Sequence, residues 1–249
     1  MTITFLGTGT SHGVPRIGCN CDVCTSTDTR NQRYRCSLLI RHQGLAILID
    51  TAPEFRLQAI RAHINHLDAL FYTHSHADHI NGIDDVRVFT HSKALDVYGP
   101  PQVLADIASR FSYALKNTHA GSPQLNLKDV DSRGVTIGNL LFIPIPLVHG
   151  RSEVFGYRIG KFAYLTDCKE IPPSSVKMLK GVETVVLDAL RFETHPTHMS
   201  IDEAIDAAVH IGAKTTYFTH LNHRIDHQKL QSSLPPSFIV AYDGLTVSI

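Results

Sequence analysis

Short apolar runs bounded by glycine, proline and polar clusters recur along the chain, and they predict more strands than helices. The first strand is expected over residues 3–6. Gly7, Gly9, Gly13, Pro15 and Gly18 then punctuate the chain too often for a regular element, so a long loop is expected from 7 to about 35. Residues 37–40 and 45–49 flank His42, Gln43 and Gly44 and read as a hairpin. Phe55, Leu57, Ile60 and Ile64 fall near helical spacing, which predicts a helix over 53–64 with Pro53 tolerated in its first turn. Further strands are expected at 69–72, 140–148, 155–159, 162–165, 185–187 and 215–218, and helices at 101–115 and 200–211. Prolines place the 140–148 strand at an edge or a bulge. Ser200 with Glu203 makes a capping box, and Gly212 stops the helix it opens. No linker, repeat or low-complexity tract divides the sequence, so one α/β domain over 1–249 is expected, its sheets covered by helices.

Composition narrows the class. With 43% hydrophobic and 18% charged residues the chain has enough apolar material for a large core, which excludes disorder, coiled coil and collagen. Its 23 basic residues balance 23 acidic ones, arguing against a wide electrostatic footprint for nucleic acid or an anionic membrane. The first fifteen residues hold no basic leader and no apolar run approaches a membrane span, so a cytoplasmic location is expected. Sixteen histidines are many for this length, and they offer metal-binding nitrogens without fixed charge.

Four of these ligand-type residues crowd one turn. His74, His76, Asp78 and His79 follow the 69–72 strand as His-x-His-x-Asp-His, which can turn the first two side chains toward one ion and the last two toward a neighbour. One tetrahedral zinc cannot easily take all four from so short a turn, so the spacing points to two metals. His149, Asp167 and His220 each lie just past the end of an apolar strand, where open α/β sheets gather their sites. Singly each would be an ordinary loop residue; together with the turn they make seven ligands. Cys19, Cys21 and Cys24 form a second cluster, better suited to a metal than to a disulfide in a chain of this type.

These residues, with Gly7-Thr8-Gly9-Thr10 after the first strand and Leu48-Ile49-Asp50 ending another, resemble the metallo-β-lactamase superfamily along essentially the whole chain. The resemblance implies an αββα sandwich in which His74, His76 and His149 hold one metal, Asp78, His79 and His220 hold the other, and Asp167 bridges them. Gly13-Val14-Pro15 and the Gly18 to Cys24 segment are similar to PhnP-type phosphodiesterases. That likeness implies a structural zinc on Cys19, Cys21, Cys24 and His223 clipping the 7–35 loop, and catalytic roles for Asp78 and for His198, the latter as general acid or phosphate contact, with His195 close enough to be confused with it.

The implied activity is hydrolysis of a small phosphodiester, a ribose cyclic phosphate (phosphoribosyl 1,2-cyclic phosphate) of phosphonate breakdown, with two divalent cations (Mn²⁺, Zn²⁺ or Fe²⁺) and a homodimeric state. No nucleic-acid or membrane partner is expected. The alternatives are a tRNA 3′-processing endonuclease of the RNase Z type and a glyoxalase II-like thioesterase. Against the first, seventeen residues separate His149 from Asp167, leaving no room for the RNA-grasping arm that family inserts there. The remaining histidines, 12, 42, 63, 66, 91, 119, 210 and 227, are assigned mostly to the surface, with His12 singled out by its place in the first loop.

Overall fold

The computed structural model describes residues 1–115 and 121–249; His119 lies outside them. In chain order the strands are β1 (Thr2–Gly7), β2 (Ser37–His42), β3 (Leu45–Ile49), β4 (Ala69–Phe71), β5 (Leu95–Gly99), β6 (Leu125–Asp129), β7 (Val135–Ile137), β8 (Leu140–His149), β9 (Ser152–Ile159), β10 (Phe162–Leu165), β11 (Thr184–Asp188), β12 (Thr215–Thr219), β13 (Phe238–Val240) and β14 (Thr246–Ser248). They form two seven-stranded sheets, ordered β14-β1-β2-β3-β4-β5-β6 and β13-β12-β11-β10-β9-β8-β7. Each is mixed: β3 to β6 run parallel in the first, β10 to β13 in the second, and the rest pair antiparallel.

The sheets pack face to face on a buried aromatic stack. Phe71 of the first sheet lies 4.3 Å from Phe142 of the second with rings 13° apart, and meets Tyr157 edge-on at 5.2 Å. Helices cover the outer faces: α1 (Phe55–Arg61), α2 (Ala77–Ile80), α3 (Pro101–Arg110) and α4 (Ser112–Leu115) on the first sheet's side, α5 (Pro173–Met178), α6 (Ile201–Ile211) and α7 (His227–Ser233) on the other. Phe55, Val103 and Ile107 pack on Leu48 and Leu70, while Ile201, Ala204 and Leu230 pack on Leu187 and Phe218. The result is the expected αββα sandwich.

Local chemistry explains the elements that matter for the site. The β2–β3 hairpin turns on Gln43 and Gly44, both at positive φ (48° and 84°), the geometry that matches strand twist. Ser200 caps α6 through Glu203 in a complete capping box, and Gly212 ends it at φ 78°. Gly7 is required by close approach: a Cβ there would collide with the Arg35 carbonyl. The prolines of β8 pair with β9 at Tyr157 and Phe155, beyond the reach of the three-residue β7, so they sit where β8 is locally an edge.

Two expected helices change shape. The first is confined to Phe55–Arg61. The helix expected over 101–115 breaks at Phe111 (φ −115°, ψ 37°), whose ring turns in to pack on the core. That break leaves Arg110 at the helix end, where it donates to the Ser75 carbonyl at 2.8 Å. Asp106 of the same helix accepts from Ser75 Oγ at 2.5 Å, so α3 pins the metal-motif turn from outside.

Candidate functional site

The turn after β4 and the ends of β8, β10, β11 and β12 meet at one rim of the sandwich. His149 is the last residue of β8, Asp167 follows β10, Asp188 ends β11 and His220 follows β12. Asp50, Asp167 and His220 all adopt the left-handed region, with φ of 62°, 52° and 59°. Such strain at side chains of one cluster is what an over-determined functional site tolerates. The loop after β1 braces this rim: Thr10 N donates to the Leu221 carbonyl and Leu221 N to the Thr8 carbonyl, on either side of His220's neighbour.

Four histidine and aspartate side chains, His74, His76, His149 and Asp167, bring ligand atoms within 4.8 Å of one another, and Asp78, His79, Asp167 and His220 do the same. Asp167 belongs to both groups. Its Oδ1 lies 3.2 Å from His79 Nε2, and its Oδ2 lies 3.3 Å from His220 Nε2 and 3.7 Å from His74 Nε2.

The rings are turned by buried partners. His79 Nδ1 donates to Asp50 Oδ2 at 2.7 Å, and His149 Nδ1 donates to the Thr197 carbonyl at 2.8 Å. Thr73 Oγ1 gives its only proton to Asp50 Oδ2, so it accepts from His74 Nδ1 at 3.0 Å. In these three rings Nε2 is thereby left as the free acceptor, and the Nε2 atoms of His74, His79 and His220 are buried with no hydrogen-bond partner among the described residues. Orphaned, convergent imidazole nitrogens beside ionised carboxylates fit divalent cations, and the outer carboxylate and carbonyl fix the tautomer such ligands need.

The electrostatics agree. Burial resists charge on Asp167, but His220 and His79 hold its carboxylate well below the usual range. Burial likewise opposes charge on His220, yet Asp167, Asp78 and Asp188 lift it to about 9. His74 is kept well below its ordinary value by burial and by the neighbouring His79. Asp167 and Asp78 therefore stay ionised in the buried bowl, the state a cation requires, while His220 must give up its proton to become a ligand.

His198 stands at the edge of this bowl, its ring centroid 4.6 Å from that of His149 and 4.5 Å from that of His220. Its Nδ1 donates to Asp188 Oδ2 at 2.6 Å, and the same oxygen accepts from Cys168 N. His195 lies one ring away at 5.3 Å and, among the described residues, bonds only to Thr197 of its own loop. A buried carboxylate thus distinguishes His198 from His195.

A family model for the beta-lactamase superfamily domain matches residues 46–221. The chain belongs to the beta-lactamase superfamily. Among superfamily structures, that of a new diphosphatase from the PhnP family is 41% identical with a TM-score of 0.93, covering 99% of this chain and 96% of that one. Zn²⁺-bound PqqB from Methylobacterium extorquens, at 18% identity and a TM-score of 0.84 over 100% of both chains, shares the fold. A Porphyromonas gingivalis protein named octanoyltransferase is 40% identical over 254 residues, covering 100% of this chain and 52% of that protein. A Nostoc punctiforme ribonuclease Z is 32% identical over 209 residues, covering 76% of this chain and 58% of that one. The chain thus spans only about half the length of these two relatives.

The second cluster of this superfamily member lies nearby. Cys19, Cys21, Cys24 and His223 bring ligand atoms within 4.8 Å of one another, with Cys19 Sγ and Cys21 Sγ each 3.4 Å from His223 Nδ1. Tetrahedral zinc sets S···N edges of about 3.5 Å, so the four residues fit that ion. The His223 hydrogen bond lowers the Cys21 thiol to about 6, while burial pushes Cys24 up to about 11. Cys19→Ser is expected to lose one equivalent of tightly held zinc and several kcal/mol of stability, because a closed site contributes its binding energy to folding. Elemental analysis and thermal melting check this; full metal content with an unchanged melt would contradict it.

Asp188 escaped the sequence reading, although it ends an apolar strand just as Asp167 and His220 follow theirs. His227, expected at the surface, is buried against Arg33, and burial with that guanidinium pushes it down to about 4. Cys36 and Cys168 are fully buried; burial pushes Cys36 up to about 12 and Cys168 well above the ordinary thiol range. Among the described residues no helix is long and apolar enough to cross a membrane.

Proposed function

We propose that this chain is a metal-dependent hydrolase of small phosphodiesters. The observation that carries the reading is the pair of ligand groups sharing Asp167, with a carboxylate-held histidine at their edge. His74, His76, His149 and Asp167 would hold one divalent cation (Mn²⁺, Zn²⁺ or Fe²⁺) and Asp78, His79, Asp167 and His220 a second, with a structural zinc on Cys19, Cys21, Cys24 and His223. When bound, such a pair supplies Lewis-acid polarisation of a phosphoryl oxygen and a nucleophile at neutral pH. The protein's own part is orientation and proton transfer. Asp50 and the Thr197 carbonyl fix ring tautomers, and Asp188 anchors His198 Nδ1 so that Nε2 delivers a proton to the departing alkoxide.

The likeness to a PhnP-family protein supports a compact substrate, with a ribose cyclic phosphate (phosphoribosyl 1,2-cyclic phosphate, a phosphonate-breakdown intermediate) as the first client. Because that relative is described as a diphosphatase, a phosphoanhydride is the second. An RNA substrate is less favoured: the stretch from His149 to Asp167 is occupied by β9 and β10, a plain hairpin. Acyl transfer, the name of the Porphyromonas relative, finds little support here, since the cysteines flanking the site are buried and poorly ionised.

The test is metal depletion followed by reloading with manganese or zinc and assay on bis-(p-nitrophenyl) phosphate, a ribose cyclic phosphate, a nucleoside diphosphate and a precursor tRNA. Restored turnover of the first two with intact tRNA is expected. Efficient tRNA cleavage would overturn the small-diester reading.

A further inference from the structure

The loop after β1 that braces His220 also walls a separate cavity of about 380 Å³. Val14 and Pro15 of that loop, with Tyr34 and Tyr242, give it apolar and aromatic walls, and Arg30, Arg33, Arg61 and Asp243 supply its charge. No residue of either Asp167 group lines it, nor does His198. Its volume is that of a pocket for a small organic molecule.

Arg33 decides what that molecule carries. The residue is 2% exposed, and burial lowers its guanidinium only to about 10, so it is charged at neutral pH. Nη1 donates to Thr8 Oγ1 at 2.8 Å and to the Ala241 carbonyl at 2.6 Å, which uses both of its protons. Nη2 has one long contact, 3.4 Å to His227 Nδ1, and Nε has no hydrogen-bond partner among the described residues. Nε and Nη2 form one edge of the planar group, the fork that takes two oxygens of an oxyanion side by side. Asp243 does not fill it: Oδ1 accepts from Thr8 Oγ1 at 2.8 Å and Oδ2 from Tyr34 N at 2.7 Å.

The other charges set the valence of the missing partner. Arg30 is closed off by Asp28, to which it donates at 2.7 and 3.0 Å. Arg61 lies over the Tyr34 ring at 5.3 Å and reaches Asp243 Oδ2 at only 3.5 Å. Asp243 thus offsets one of the two remaining guanidinium charges, and one positive charge is left over. We infer that the cavity is a binding site for a monocarboxylate with an apolar body, its two oxygens on the Nε–Nη2 edge of Arg33. A phosphate dianion would bring a second negative charge beside Asp243 and a third oxygen that this edge does not meet. Val14, Pro15 and the two tyrosines cover the body of the acid.

The experiment follows the ring signals of Tyr34 and Tyr242 by NMR in the zinc-loaded protein, which reads binding here apart from any in the ligand bowl. Benzoate is expected to shift both rings with a Kd of about 1 mM or tighter, and benzamide, its neutral isostere, to bind at least about tenfold more weakly. Phenyl phosphate should also bind more weakly than benzoate. Arg33→Lys keeps the charge and removes the fork, so its affinity for benzoate should fall by about tenfold or more. Unshifted tyrosines, equal affinity for benzoate and benzamide, or undiminished binding in Arg33→Lys overturns the site, and tighter binding of phenyl phosphate overturns the carboxylate assignment. Should Arg33→Lys fail to fold, nuclear Overhauser contacts from the benzoate ring to the Val14 methyls and the two tyrosine rings of the wild type take its place; their absence overturns the site.

Discussion

Asp167→Ala is expected to abolish turnover, by about 10³-fold or more, and to lower metal occupancy in both ligand groups at once. The expectation follows from one carboxylate serving two clusters, with Oδ1 toward His79 and Oδ2 toward His220 and His74. Its removal leaves three buried imidazoles facing each other without the charge that offsets their desolvation. Thr166 Oγ1 donates to Oδ1 at 3.0 Å, so the carboxylate is aimed by its own neighbour. Because the backbone there sits at φ 52°, Asp167→Asn is the companion variant: asparagine tolerates that region and keeps the shape while removing the charge. Elemental analysis of both variants beside wild type decides the point. Two ions at full occupancy in Asp167→Ala would remove Asp167 from the shared position and leave it an orienting role.

What the sequence made legible, and what it hid, follows from the range of the interactions involved. The β2–β3 hairpin and the start of α6 were readable because their causes are local: a turn at Gln43-Gly44 and a capping box at Ser200 and Glu203. The His-x-His-x-Asp-His turn was readable because its four side chains are close in sequence. Strands β5, β6, β7, β13 and β14 were not anticipated: β13 is an apolar run of only three residues, the others carry mixed polarity, and what makes them strands is pairing with β12, β4, β5, β8 and β1. Asp188 and the supporting part played by Asp50 depend on contacts across 10 and 29 residues, to His198 and His79. The break at Phe111 is likewise decided by packing, since the helical periodicity continues through it.

His198→Ala should slow hydrolysis of diesters with poor leaving groups by about 10²–10⁴-fold while sparing metal content. The distinction rests on position. His198 belongs to neither metal group containing Asp167, although it shares a third with Asp188 and His220, and its ring lies within 4.6 Å of His149 and 4.5 Å of His220, centroid to centroid, so it reaches the reacting region from beside the shared carboxylate. Asp188 accepts from Nδ1 at 2.6 Å, which turns Nε2 outward and supports the charged ring before it gives up its proton. A ribose alkoxide needs that proton as it departs. A p-nitrophenolate does not, so activated aryl diesters should lose much less. Asp188→Asn supplies the matching test of orientation: the ring stays but its anionic support goes, and the loss should again concentrate on the poor leaving group. Equal losses on both substrate classes in His198→Ala would reduce His198 to a binding contact, and lost metal would make it part of the cage.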